Sequence, residues 1–210
     1  MFFPGEGLTL IHINPDNPQE RLINRVVDVL KEGGVIAYPT DTIYGIGCDI
    51  FNKKALERIY LLKGRDRNKP MSFVCSDLSH ISKFAKVSNY AYRIMKRFLP
   101  GPYTFILEAS SVVPRMLMPK RKTVGIRIPD NAIATMLVEK LGNPIISTSA
   151  NVSGRDVISD PGEIDLFMGK ILDLTIDAGM LPGEPSTIVD LTGDSPALLR
   201  EGVGDYSWIG

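Results

Sequence analysis

The opening of the chain contains a strand, a helix and a second strand in direct succession. Residues 8–13 alternate apolar and polar side chains, as a half-buried strand does. Apolar residues then recur at helical spacing from Leu22 to Leu30, and Gly33-Gly34 ends that helix. Residues 35–38 are apolar throughout and predict a buried strand. This succession predicts an α/β fold.

Similar elements follow along the rest of the chain. Further strands are predicted at 71–75, 103–107, 123–129, 172–176, 186–191 and 197–200. Further helices are predicted at about 52–63 and 162–168 and after Asp77, Ser88 and Asp130, with Asn17 capping the first helix. Residues 39–47, which include Gly45 and Gly47, predict a turn.

The length and composition indicate a folded globular protein. A chain of 210 residues predicts one domain over 1–210 with a sizeable core. Its 44% hydrophobic and 23% charged residues argue against disorder and fibrous architecture. Two cysteines are too few for a disulfide framework or a cysteine-based zinc site. With no apolar run of secretory or membrane-spanning length, we expect a cytoplasmic protein without membrane contact.

Charge is unevenly distributed although the formal net charge is zero. Residues 53–70 carry seven basic side chains against two acidic ones, and residues 115–127 carry five basic side chains and no acidic one. Residues 160–205 hold ten acids against two basic residues. The two basic stretches suit an anionic partner, either a nucleotide or a polynucleotide.

Residues 144–154 form the segment with the clearest binding character. The apolar start, Pro144-Ile145-Ile146, indicates the end of a buried strand, and eight small or polar residues follow it. Such residues let a backbone approach a ligand closely and offer hydroxyl, amide and N–H groups to an anion. The alternative is an ordinary surface loop, which small polar residues also favour.

One charged residue lies in the middle of a predicted strand. Alternation over 123–129 places Thr123, Gly125 and Arg127 on one side. A charge at this position must face solvent, a groove or a partner.

Several common catalytic motifs are absent. The chain contains neither the phosphate-binding G-x-x-x-x-G-K-[ST] nor H-E-x-x-H, and its two histidines are His12, in the first strand, and His80, predicted on a surface helix. A histidine-dependent triad or metal site is therefore disfavoured. The remaining Lys, Arg, Ser, Thr and Asn at strand ends suit the positioning of a polyphosphate, as in nucleotidyl transfer.

Six segments in chain order, spread over about residues 20–205, carry a family resemblance. They are Tyr38–Gly45, Lys63–Arg65, Val124–Pro129, Ser147–Gly154, Pro185–Asp190 and Leu199–Gly202. Through them the chain resembles the YrdC-like family, whose enzymes are threonylcarbamoyl-AMP synthases. The resemblance implies a twisted mixed sheet with flanking helices and a concave, positively charged groove. It also implies a single domain without the additional C-terminal domain of longer members.

The resemblance implies a reaction as well. Such enzymes join L-threonine, bicarbonate and ATP into threonylcarbamoyl-AMP and release pyrophosphate, with Mg²⁺ carried by ATP rather than by protein side chains. No organic prosthetic group is implied. The product serves to modify adenosine 37 of tRNA, so transfer-complex proteins are implied partners.

Three sets of site residues follow from the resemblance. The catalytic nucleotide signature falls on Lys63, Arg65, Ser149 and Asn151. Further ATP contacts fall on Thr123, Val157 and Arg200. Contacts to L-threonine fall on Thr42, Arg127, Ser147 and Ser186, and the Arg127 guanidinium would take the substrate carboxylate bidentately.

The chain departs from the synthase pattern at three positions. Asp66 stands where the family has proline, Lys69 where it has an ATP-binding asparagine, and Val74 where it has a threonine-binding histidine. This variant resembles the YciO-type branch, whose members would include low-activity synthases. An alternative function is therefore binding of double-stranded RNA or tRNA in the same basic groove, with weak or no synthase activity.

Overall fold

The computed structural model describes residues 10–64, 71–118, 122–151 and 156–209. Its strands are Leu10–His12 (β1), Ile36–Tyr38 (β2), Gly45–Gly47 (β3), Ser72–Val74 (β4), Ala85–Lys86 (β5), Tyr103–Ala109 (β6), Thr123–Arg127 (β7), Ile145–Ser149 (β8), Leu174–Asp177 (β9), Thr187–Asp190 (β10) and Ala197–Arg200 (β11). Its α-helices are Glu20–Lys31 (α1), Lys53–Lys63 (α2), Leu78–Phe84 (α3), Asn89–Phe98 (α4), Ala132–Leu141 (α5) and Pro161–Met168 (α6), and Arg115–Leu117 forms a 3₁₀ turn.

The strands form one mixed sheet in the order β1-β9-β2-β3-β8-β4-β7-β6-β10-β11, with β5 paired to β6. Four pairs are parallel (β1/β9, β9/β2, β4/β7 and β6/β10), and the other pairs along this order are antiparallel. The strand β8 lies between β3 and β4 and is antiparallel to both. The predicted fold class, a mixed α/β sheet with flanking helices, is confirmed.

Both faces of the sheet are covered, so successive residues of a strand enter different cores. Val74 and Ile145 pack with α1 and α5 on one face, while their neighbours Phe73 and Ile146 belong to the larger core on the other. This explains the near-continuous apolar runs of the strands. On the first face, positions two residues away, such as Ser72, line an open cleft instead of a helix.

The predicted turn at 39–47 is partly wrong, because Gly45–Gly47 is a strand. A Cβ atom on Gly47 would lie 2.3 Å from the Ile146 carbonyl oxygen and 2.8 Å from the Tyr38 ring. Glycine therefore permits the close approach by which Tyr38 Oη donates a hydrogen bond to the Ile146 carbonyl at 3.0 Å. Burial raises the pKa of Tyr38 to about 12, which keeps this hydroxyl protonated.

Two predicted N-caps are displaced. The helix α1 begins after Gln19 rather than Asn17, because the N–H of Asn17 donates to Asn14 Oδ1 in a preceding turn. The helix α5 is capped by Asn131, whose Oδ1 accepts from the N–H of Ala134. The caps predicted at Asp77 and Ser88 are confirmed.

His80 was expected on a surface helix but is 7% exposed. Its Nδ1 accepts a hydrogen bond from the backbone N–H of Ser76, and its ring meets Phe84 edge-on at 5.3 Å. Burial lowers the pKa of His80, and the charge of Lys83 lowers it further against the opposing effect of Asp77. In the described part of the chain, every helix is too short or too polar to cross a bilayer.

Candidate active site

A cleft of about 270 Å³ opens on the same face of the sheet as α1 and α5, over a part of that face that these helices do not cover. Small and hydroxyl residues of β3, β4, β6, β7 and β8 line it together with apolar side chains such as Ile106 and Ile188. Its lining residues include Gly45, Ser72, Thr104, Gly125, Arg127, Ser147, Ser149, Ser186 and Arg200. The described lining holds two arginines and no carboxylate, so the cleft attracts anions.

The Lys63 ammonium lies beside this cleft and ties the end of α2 to the end of β8. Its Nζ lies 2.8 Å from the Ser149 carbonyl oxygen, 3.4 Å from Ser149 Oγ, and 2.6 Å from both the carbonyl oxygen and Oδ1 of Asn151. Ser149 Oγ also donates to Asn151 Oδ1 at 2.7 Å. The structure thus brings together three residues of the predicted nucleotide signature, while Arg65 lies outside the described residues.

Local sequence explains why Lys63 arrives there. Asn52 caps α2 by accepting from the N–H of Ala55, and Gly64 ends the helix with a left-handed backbone at φ 52°. Lys63 is therefore the last helical residue, on the buried side, and is only 3% exposed. A cationic side chain at a helix C-terminus is also favoured by the helix dipole.

The segment that was predicted either as a binding segment or as a surface loop begins as a strand. Ser147 pairs with Ser72 and Ser149 pairs with Gly45, so these hydroxyl side chains lie inside the sheet and line the cleft. The backbone continues past Ser149 in register, with the Ala150 N–H donating to the Tyr44 carbonyl. The surface-loop alternative is wrong for residues 147–149, which form the end of β8.

Arg127 at the end of β7 is buried, with 4% of its surface exposed, and its side chain reaches the cleft. Nη2 donates to Asp41 Oδ1 at 2.8 Å and to Thr42 Oγ1 at 2.9 Å. Burial lowers the pKa of Arg127, and the Asp41 carboxylate opposes that shift. A buried guanidinium facing a cleft can bind a ligand carboxylate in two hydrogen bonds.

Thr42 is placed by the turn that precedes β3. Thr40 Oγ1 accepts from the N–H groups of Thr42 and Ile43 and donates to the Ile43 carbonyl at 2.6 Å. The paired threonines are both 1% exposed, and their hydroxyl oxygens are 3.1 Å apart. The turn therefore presents Thr42 to Arg127 in one orientation.

Arg200 approaches the cleft from β11. Its Nη2 donates to the Ser186 carbonyl at 2.6 Å and to Ser186 Oγ at 3.2 Å, and Ser186 Oγ in turn lies 2.8 Å from Thr104 Oγ1. Burial lowers the pKa of Arg200, and the Arg127 charge lowers it further. The two arginines are thus electrostatically coupled within one cleft.

Some predicted site residues lie at the margins. Thr123 begins β7 on the same side as Gly125 but is not among the lining residues of the cleft. Val157 is half-buried, and the next residue, Ile158, donates its backbone N–H to the Ala150 carbonyl. Thr42 contacts Arg127 rather than lining the cleft itself.

Sequence reasoning missed Asp41, Thr104 and Gly125 as parts of the site. A Cβ atom on Gly125 would lie 2.7 Å from Ser72 Oγ, so glycine keeps this part of the cleft floor open. The Thr-Asp-Thr turn carried a signal for Asp41, since a carboxylate between paired threonines is available to a nearby cation. Thr104 sits in an otherwise ordinary strand sequence and gave none.

The departures from the synthase pattern fall partly within the described residues. Val74 is fully buried in the core under α1 and α5 and is the register partner of Arg127 across β4 and β7, so an apolar residue stands at this position next to Arg127. Asp66 and Lys69 lie outside the described residues. Across the described ranges, no three His, Cys, Asp or Glu residues are grouped as metal ligands would be.

Comparison with known proteins places this architecture in a family. The family model described as "Telomere recombination", that of the Sua5/YciO/YrdC proteins, matches residues 28–202. A protein of Escherichia coli (strain K12) named "Uncharacterized protein YciO" is 47% identical over 196 residues, covering 92% of this chain and 95% of that protein. The E. coli YciO crystal structure superposes with a TM-score of 0.91 at 46% identity, over 95% of this chain and 98% of that one.

Two further relatives carry functional names. A threonylcarbamoyl-AMP synthase of Chromobacterium violaceum is 35% identical over 188 residues, covering 89% of this chain and 96% of that protein. The structure of P. abyssi Sua5 in complex with L-threonine superposes with a TM-score of 0.87 at 33% identity, over 92% of this chain and 57% of that one. The chain belongs to the Sua5/YciO/YrdC family.

Proposed function

We propose that this protein is an ATP-dependent threonylcarbamoyl-AMP synthase acting in the formation of N6-threonylcarbamoyladenosine at tRNA position 37. The carrying observation is the meeting of Lys63, Ser149 and Asn151 beside a cleft lined by Arg127 and Arg200. The proposal draws support from a family relative named threonylcarbamoyl-AMP synthase and from a relative solved with L-threonine.

In the proposed reaction the protein positions charged groups and performs little covalent chemistry. The amine nitrogen of L-threonine bonds to the carbon of bicarbonate and a water molecule leaves, which gives a carbamate. A carbamate oxygen then attacks the α-phosphate of MgATP, and the bond from that phosphorus to the bridging oxygen breaks as pyrophosphate leaves. Lys63, Ser149 and Asn151, with Arg65, would hold the phosphates. Preorganised cations at such a site stabilise the charge that develops on phosphoryl oxygens.

The amino-acid side of the site would use the other cluster. Arg127 would bind the carboxylate of L-threonine, and Thr42, Ser147 and Ser186 would supply hydroxyl groups around it. A cleft of about 270 Å³ is slightly below the usual size of small-molecule sites, which suits an amino acid better than a whole nucleotide. Most of the ATP would then lie outside this cleft, near Lys63.

The deciding assay measures pyrophosphate release that depends on both L-threonine and bicarbonate. Ser149→Ala should reduce this release by about 10- to 100-fold, the usual effect of removing one hydrogen bond to a charged group at a reacting centre. Ser110→Ala is the matched control, because Ser110 Oγ donates to the Lys83 carbonyl and does not line the cleft. Equal activity of the two variants would contradict the assignment of the site.

Calorimetry provides an independent test. Titration of ATP with and without L-threonine should show cooperative binding, because a shared site couples the two ligands.

The RNA-binding alternative stays a prediction. Residues 65–70 of the first basic stretch and residues 119–121 of the second lie outside the described residues. Tight tRNA binding without ATP affinity would favour that alternative over the synthase.

A further inference from the structure

Arg127 has a carboxylate partner that does not itself face the cleft. Arg127 lines the cleft, whereas Asp41, in the turn between β2 and β3, does not. The side chains of this ion pair are 5% and 9% exposed, so solvent and salt screen it weakly. A buried pair of this kind holds both side chains in one arrangement.

The Asp41 carboxylate uses both of its oxygens. Oδ1 accepts from Arg127 Nη2 at 2.8 Å, and Oδ2 accepts from the backbone N–H of Asp130 at 3.1 Å. Asp130 follows β7 and precedes the cap of α5, so the carboxylate joins the β2–β3 turn to the β7–α5 connection. Its position is therefore set from two sides.

The anchored guanidinium retains an unused donor. Both described hydrogen bonds of Arg127 start from Nη2, and Nε is buried with no partner in the described structure. Buried polar groups without a partner are rare in native proteins and often mark a place where a ligand or water supplies the acceptor. Asp41 and Thr42 thus occupy one nitrogen and leave another for an incoming anion.

We propose that Asp41 is a positioning residue for the amino-acid substrate, acting through Arg127. Its carboxylate holds the guanidinium at the cleft in a fixed orientation, so that Arg127 receives a substrate carboxylate at one defined place. The inference rests on the proposed function, because it assigns Arg127 to the carboxylate of L-threonine.

Asp41→Asn is a sharp test because an amide cannot replace both acceptors. In either amide orientation the NH₂ group faces a donor, either Arg127 Nη2 or the Asp130 N–H. The variant should raise the KM for L-threonine about tenfold or more and leave the KM for ATP within about twofold, since it removes a charge-assisted hydrogen bond on one side of the site only. Asp41→Glu keeps the charge and should give an intermediate KM for L-threonine.

Asp49→Asn is the matched control. Asp49 also joins two segments through both oxygens, accepting from the Phe51 N–H and from Asn143 Nδ2, but it does not line the cleft or contact Arg127. It should leave both KM values unchanged. If Asp41→Asn has the same KM for L-threonine as Asp49→Asn, or if it raises the KM values for L-threonine and ATP equally, the positioning role is overturned.

A double-mutant cycle separates this inference from the proposed function. If the wild-type protein releases no threonine-dependent pyrophosphate, the proposed function fails. The unfolding equilibria of D41N, R127M and the double variant then still test whether Asp41 anchors Arg127. Coupling of about tenfold or more in the unfolding equilibrium supports the anchoring of Arg127 by Asp41. Additive effects would refute it.

Discussion

The ammonium of Lys63 should stabilise the folded protein itself, in addition to binding phosphate. It lies within hydrogen-bond distance of four oxygens of Ser149 and Asn151, three of them at 2.8 Å or less. Lys63→Met keeps the apolar stem and removes these donors. Hydrogen bonds from a charged group contribute about 1.5–3 kcal/mol each, but water in the adjacent cleft can replace some of them. We therefore expect a net loss of about 2–3 kcal/mol.

Thermal unfolding measures this loss. For a chain of this size about 1 kcal/mol lowers Tm by roughly 2–4 °C, so Lys63→Met should unfold about 4–12 °C below the wild type. Lys54→Met is the control, because Lys54 is exposed on the same helix and its loss should change stability by less than about 0.5 kcal/mol. Equal Tm values for the two variants would refute the claim that the ammonium secures the end of β8.

Substitutions at two glycines of β3 and at His80 test the fold. Gly47→Ala places a Cβ atom 2.3 Å from the Ile146 carbonyl oxygen, and we expect a loss of about 1–3 kcal/mol in chemical denaturation. Gly45→Ala, whose nearest contact would be 3.2 Å, should cost clearly less, and the reverse order would contradict the packing argument. The lowered pKa of His80 means that the unfolded chain binds the proton more readily, so stability should fall as pH drops below about 6.5. His80→Gln should reduce the difference in the free energy of unfolding between pH 7.5 and pH 5.5. If that difference is unchanged in the variant, His80 does not cause the pH dependence of stability.

Much of the fold could be predicted from local pattern. Apolar periodicity located most helices and strands, and glycine marked the ends of α1 and α2, because these signals depend on residues close together in the chain. Gly45–Gly47 was missed as a strand, since its pairing with β2 and β8 depends on residues distant in sequence. The burial of His80 was missed for a different reason: its ring partner Phe84 is only four residues away, but which face of α3 is buried depends on how that helix packs against the core.

The candidate site divides in the same way. The sequence by itself determined which residue types were available, including a lysine at a helix end, an arginine in a strand and hydroxyl groups beside an apolar run. The structure corrects two positions, since Arg127 ends β7 rather than lying in its middle, and Ser147 and Ser149 lie within β8. Only the tertiary structure decided that Lys63 meets Ser149 and that Asp41 pairs with Arg127, because 86 residues separate the members of each pair. Such contacts depend on the strand order of a mixed sheet, which arises from the packing of the whole chain.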